Sequence, residues 1–162
     1  MKRTVVEKKA LVITSLQGDL DPTILLITKR KPEELMIINT FGGLISQPYG
    51  CIIRSIIMAA YYENIKEIYV IGEETSHEHA VNAKDLLKKI SDSGITEKTI
   101  ETLDYIKVVE KNIETWLIGP QDIKEIIKKN IELIQKHPLM PQSINVFGFI
   151  TNSEAKEFTS IK

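Results

Sequence analysis

The chain reads as an α/β domain with a mostly parallel central sheet flanked by helices. Two observations carry this reading. Short β-rich apolar runs alternate with longer segments of helical period, and the first run is continuously apolar, as a strand buried on both faces must be.

Ala10-Leu11-Val12-Ile13-Thr14 is that first strand, and Leu35-Met36-Ile37-Ile38 is the second. Ile65 to Ile71 makes a third, and Ile144 to Ile150 alternates enough to make a later fourth. Asp21-Pro22 opens the first helix, with Asp as N-cap and Pro in the first turn. Tyr49 to Tyr62 is apolar on nearly every side except Arg54 and Ser55, which predicts a buried helix. Thr75-Ser76-His77-Glu78 matches a capping box ahead of a helix carrying Ala80, Val81, Ala83, Leu86, Leu87 and Ile90 and stopping near Gly94. Gln121 to Lys136 sets Ile123, Ile126, Ile127, Ile131 and Ile134 at helical spacing and breaks at His137-Pro138. Thr96 to Thr115 shows no decisive pattern.

The 162 residues are 43% hydrophobic and 27% charged, enough for one ordinary core. No repeat, low-complexity tract or Gly/Ser-rich linker divides them, so a single domain over residues 1–162 is expected. Lys+Arg number 21 against 22 Asp+Glu, a balance that makes nucleic acid a poor first guess. The longest apolar run, Ile56 to Tyr62, is far shorter than the ~20 residues of a membrane span, and Met1-Lys2-Arg3 leads into no signal-peptide core. The expected location is the cytoplasm. The single cysteine, Cys51, rules out an intramolecular disulfide and any two-cysteine metal site within the chain.

In open α/β sheets, ligands bind beyond the carboxyl ends of the parallel strands. The segments there are Ser15 to Pro22, Asn39-Thr40-Phe41-Gly42-Gly43, and Gly72-Glu73-Glu74-Thr75-Ser76-His77. They supply hydroxyls, carboxylates, amides and backbone NH groups. No GxGxxG or GxxxxGK[ST] follows a strand, which weighs against a nucleotide module. Ser15 or Ser76 as a nucleophile would need an oriented base, and His77 is merely adjacent to Ser76 in sequence.

In order and spacing, these segments resemble the β-class carbonic anhydrases, most closely their short archaeal and bacterial branch. The family pattern is a strand then Cys-x-Asp-Ser-Arg, a strand then Arg-Asn-Ala-Gly-Gly, a helix opening near Arg-Ser, a strand then Gly-His-x-x-Cys-Gly, and a Pro-rich turn before Val-x-Gly. This chain matches in register with Ser15-Leu16-Gln17-Gly18-Asp19, Asn39-Thr40-Phe41-Gly42-Gly43, Arg54-Ser55, Gly72-Glu73-Glu74-Thr75-Ser76, and His137-Pro138-Leu139-Met140-Pro141 before Val146-Phe147-Gly148.

The resemblance implies the fold, and it also locates the family's chemistry. The three zinc-ligand positions match Ser15, Glu73 and Ser76; the Asp-Arg pair matches Gln17 and Asp19; the Arg of Arg-Asn-Ala-Gly-Gly matches Asn39. A serine hydroxyl is a poor zinc ligand beside thiolate, imidazole and carboxylate, so only Glu73 remains a credible donor. Without a metal to make hydroxide at neutral pH, hydratase activity of the family's type is not expected. The expectation is a pseudoenzyme without a metal cofactor, acting as a partner or regulatory subunit or as a binder of a small anion such as bicarbonate. Gly42, Gly43 and Arg54 are the candidate anion contacts. The resemblance also implies a homodimer or larger assembly, with an N-terminal arm that is shortened here.

The rival expectation is an active carbonate dehydratase or other lyase with a rearranged zinc site using Glu73 and His77, and with Cys51 a further candidate. His77 and His79 lie two apart, so on one helix they point roughly 200° from each other and cannot share an ion. Cys51 is expected to pack as a small hydrophobe, Trp116 beneath Leu117 and Ile118, and Lys29-Arg30-Lys31 as a solvated helix end.

Overall fold

Continuous apolar strands need cover on both faces, and the chain provides it with helices wound about one sheet. A computed structural model describes residues 6–15, 22–74, 81–152 and 154–162. Within them run β1 (Ala10–Ser15), α1 (Pro22–Thr28), β2 (Leu35–Thr40), α2 (Cys51–Tyr62), β3 (Glu67–Glu73), α3 (Ala83–Asp92), α4 (Glu97–Tyr105), α5 (Ile113–Ile118), α6 (Ile123–Gln135), β4 (Asn145–Asn152) and β5 (Glu157–Ile161). The sheet order is β2-β1-β3-β4-β5. β1 through β4 are parallel neighbours, and β5 closes the edge antiparallel to β4. The expected α/β class with a mostly parallel sheet is what the chain forms.

Side chains alternate across each strand, so the sheet carries two cores. On one face Leu11, Ile13, Ile68 and Val70 pack with Ile53 and Ile56 of α2 and Ile127 and Ile134 of α6. On the other, Ala10, Val12, Tyr69 and Ile71 pack with Ile24 and Ile27 of α1. Residues Ala10, Leu11, Val12 and Ile13 are all 0% exposed, which is why this run shows no polar alternation. α6 lies close to the sheet because Gly72 and Gly148 leave room for it. A Cβ on Gly148 would stand 2.6 Å from Ile127 Cγ2 and 2.6 Å from Ile131 Cδ1.

Several expectations shift. The third strand starts at Glu67 rather than Ile65, because Asn64 turns with φ 55° and the Ile65 amide bonds to the Ala59 carbonyl at the end of α2. β5 was not foreseen; its exposed residues lack the apolar pattern that marks a buried strand. The capping box at Thr75 to Glu78 lies outside the described residues. The described helix begins at Ala83, where the Asn82 side chain accepts from the Lys84 and Asp85 amides. The undecided stretch holds α4, capped by Thr96, and α5, capped by Asn112, with the Asp104 carboxylate accepting from the Ile113 amide at 2.7 Å.

The helix expected to be buried, α2, buries only Ile53, Ile56, Ala59 and Ala60. Its other face is open: Tyr61 is 61% and Tyr62 80% exposed. Cys51 does not pack as a small hydrophobe; it is exposed in the first turn of α2, where the core-facing positions begin at Ile53. Trp116 is half-exposed and lines a groove with Leu44, Pro48 and Leu133. Arg30 is not a solvated helix end: its guanidinium bonds Glu67 at 3.0 Å, and the Tyr69 hydroxyl reaches the same carboxylate at 3.4 Å. Burial, with that carboxylate alongside, pushes the Tyr69 phenol up.

Gly148→Ala is expected to destabilise the protein by about 1–3 kcal/mol through overpacking against α6, measured by urea denaturation. Beside β1, the Lys9 ammonium and the Lys31 amide bond the Glu34 carboxylate and hold it below its ordinary value of 4.5. A depressed carboxylate stabilises above its unfolded value and loses that contribution as pH falls through the folded one. Glu34→Gln is therefore expected to flatten the acid side of the stability profile below about pH 4.5, read by thermal melts across pH.

Candidate functional site

The site builds on the carboxyl ends of β1, β2 and β3, where the sheet stops and the chain turns away. Ser15 ends β1 and is 2% exposed. Alternation aligns it with Leu11 and Ile13, on the face covered by α2 and α6. Its register partner on β2 is Thr40, so the two hydroxyl-bearing side chains are cross-strand neighbours on that face. The Asn39 amide donates to the Ser15 carbonyl at 2.7 Å and ties the two strand ends together.

Beyond Thr40 the chain makes a tight turn, Phe41–Gly43. Gly42 has φ 65° and Gly43 φ 68°, in the left-handed region where a side chain is strained. Both glycines are buried, and a Cβ on Gly43 would lie 3.8 Å from the Ser15 amide nitrogen. At Gly43, backbone conformation rather than space demands glycine.

The turn is held from the far side of the core by Asn130 of α6, which is 0% exposed. Its Oδ1 accepts from the Ile45 amide at 3.1 Å and its Nδ2 donates to the Gly43 carbonyl at 2.6 Å. One side-chain amide thus satisfies both backbone groups of a buried loop. Asn130 escaped the sequence reading, although a signal was present. It occupies an apolar-stripe position between Ile126-Ile127 and Ile134, where a polar residue must find partners.

β3 ends at Gly72 and Glu73. Gly72 lies under α6, with a Cβ there meeting Ile123 at 2.8 Å. Glu73 is partly exposed and pairs in register with Thr151 of β4. Gln17, Asp19, Ser76, His77 and His79 lie outside the described residues. Among the described residues no three His, Cys, Asp or Glu side chains converge.

Of the proposed anion contacts, the structure brings Gly42 and Gly43 beside Ser15. Arg54 lies elsewhere. It is exposed on α2, in an apolar groove of about 320 Å³ with Tyr49, Ile57, Met58, His137 and Leu139. His137, 5% exposed, anchors that groove: its Nε2 is 2.9 Å from the Pro48 carbonyl and its Nδ1 accepts from the Leu139 amide at 3.2 Å. Those contacts place the proton on Nε2. Both ring nitrogens are thus engaged in structural bonds.

Chemically, the described part of the site offers two neutral hydroxyls, a carboxylate at Glu73 and a glycine turn, with no sulfur ligand. Thiolate–imidazole coordination of the kind that holds a catalytic zinc has no counterpart at Ser15 or Glu73, so the described donors by themselves do not fit that metal.

No protein-family model matches the sequence. Among curated proteins, the carbonic anhydrase-like protein YbcF of Bacillus subtilis is 31% identical over 151 residues, covering 90% of this chain and 82% of that protein. Among solved structures, β-carbonic anhydrase isoform I of Trichomonas vaginalis superposes with a TM-score of 0.78 at 19% identity, over 98% of this chain and 84% of that one. The apo form of a carbon disulfide hydrolase matches with a TM-score of 0.72 at 18% identity, over 94% of this chain and 78% of that one.

Asn130→Leu removes both partners of the buried loop at once. The expected cost is about 2–4 kcal/mol, from stranding the Ile45 amide and the Gly43 carbonyl. Calorimetric melting of the variant checks it.

Proposed function

The chain belongs to the β-class carbonic anhydrase family, and from that premise we propose that it is a non-catalytic member that binds a small oxyanion of the bicarbonate kind. The observation that carries this reading is the donor set: the positions matching the family's zinc ligands hold Ser15, Glu73 and Ser76. A buried serine hydroxyl keeps its proton at neutral pH and contributes no charge to a cation. The same neutral group remains able to hydrogen-bond an anion.

Zinc in the family's chemistry lowers the pKa of bound water and supplies hydroxide for attack on carbon dioxide. The side chains here provide no equivalent, and Cys51 sits on α2 rather than at a strand end. We read the chain as one cytoplasmic domain over residues 1–162 that works without a metal cofactor. Its assembly is proposed to be a homodimer or larger. The supporting observation is the uncovered face of α2, where Met58, Tyr61 and Tyr62 are exposed beside Tyr49 and Leu139. Two β-carbonic anhydrases of Sordaria macrospora with the same fold are tetramers, the one compared having a TM-score of 0.56.

A second reading rests on Glu73, the one carboxylate at a ligand position. It is a lyase with a rearranged metal site, in which Glu73→Gln or His77→Ala would abolish a measurable activity.

Protein purified from cells grown with zinc is expected to carry far less than one metal per chain by elemental analysis, and to hydrate carbon dioxide no faster than buffer. Stoichiometric zinc with hydration would overturn the proposal. Light scattering at micromolar concentration is expected to give at least twice the monomer mass; a monomer would overturn the assembly.

A further inference from the structure

Buried polar groups in native proteins find partners, and each exception calls for a cause. Among the described residues, only Arg30 Nε and Thr40 Oγ1 are buried side-chain polar atoms without a hydrogen-bond partner. The Arg30 case has a local explanation, since the same guanidinium is engaged by Glu67 through its Nη2. Thr40 has none. It is 7% exposed at the carboxyl end of β2, and its hydroxyl is left idle although other buried threonines are satisfied. Thr28 donates to the Ile24 carbonyl at 2.8 Å and Thr151 to the Gly72 carbonyl at 3.4 Å.

The place is as informative as the lack of a partner. Thr40 is cross-strand neighbour to Ser15, the residue at the family's first ligand position, and it is followed directly by the turn containing Gly42 and Gly43. A valine would fill the same volume, suit a β-strand better and leave nothing unsatisfied. A hydroxyl retained there with no partner among the described residues is free to bond a group from outside them.

We propose that Thr40 is the specificity-determining contact of this site, its hydroxyl paired with that of Ser15 to hold a protonated oxyanion. This rests on the anion-binding reading above and names the group that performs it. A hydroxyl both donates and accepts. Two side by side can donate to the oxygens of bicarbonate while one accepts from its O–H, a combination that backbone NH groups or a cation cannot offer.

The experiment is a titration of ¹³C-bicarbonate into the full chain and into Thr40→Val and Thr40→Ser, followed by NMR, with a thermal melt of each. The wild type and Thr40→Ser are expected to bind, and Thr40→Val to bind about tenfold more weakly, the value of one hydrogen bond near its upper range. Thr40→Val is expected to melt no lower than the wild type, since it removes an unsatisfied group and keeps the volume. If the wild type binds no bicarbonate, the anion-binding reading fails and this inference with it. If the wild type and Thr40→Val bind equally, that reading stands and the assignment to Thr40 alone is overturned. If Thr40→Val melts lower, the hydroxyl has a structural partner, and the assignment is again overturned. If Thr40→Val does not fold, Thr40→Ser decides: retained binding supports the hydroxyl, and lost binding overturns it.

Discussion

The Asn130 side chain is the constraint on which the site depends. A loop leaving a parallel sheet must carry its amides and carbonyls across the top of the core, where water does not reach them. Here the Ile45 amide and the Gly43 carbonyl are both taken by one buried amide from α6. That pairing does more than satisfy two groups. It sets the distance between α6 and the end of β2, and so fixes where the glycine turn stands relative to Ser15. The isoleucines around it, Ile126, Ile127 and Ile134, supply the burial that makes the bonds count, since a hydrogen bond shielded from water is strong and its loss costly.

The same packing holds the fold independently of the side chains at the strand ends. Gly72 and Gly148 let α6 sit close, the two-sided core fills around β1, and none of these residues is a metal ligand. A neutral pair, Ser15 and Thr40, is buried at the ends of β1 and β2. The fold supplies the rim, and what it can do depends on the side chains that the rim carries.

α2 divides its residues between the core and the surface. One side carries Ile53 and Ile56 into the core, while the other leaves Met58, Tyr61 and Tyr62 uncovered near the His137 turn. The Tyr61 hydroxyl donates to the Leu139 carbonyl at 3.1 Å, so this surface is held in shape rather than left to wander. An ordered, exposed apolar face of this kind is the mark of an interaction surface.

Continuous apolar runs, helical spacing and motif order were enough to establish the α/β class, the parallel strands and the family, because burial on two faces and 3.6-residue periodicity write themselves directly into residue order. Polar ends gave weaker signals. β5 is exposed and antiparallel, so nothing in Glu157 to Ile161 advertises it. Asn130 is one polar letter inside an apolar stripe, and its partners stand 85 and 87 residues away. Arg30 looked like a helix-end charge until β3 brought Glu67 beside it. The sequence by itself determined the four parallel strands, the long helices α2 and α6, and that the positions matching the family's ligands hold hydroxyls and a carboxylate. Only the tertiary structure decided that Thr40 is buried next to Ser15 with no partner among the described residues, because strand register and loop closure bring distant residues together and local pattern contains neither.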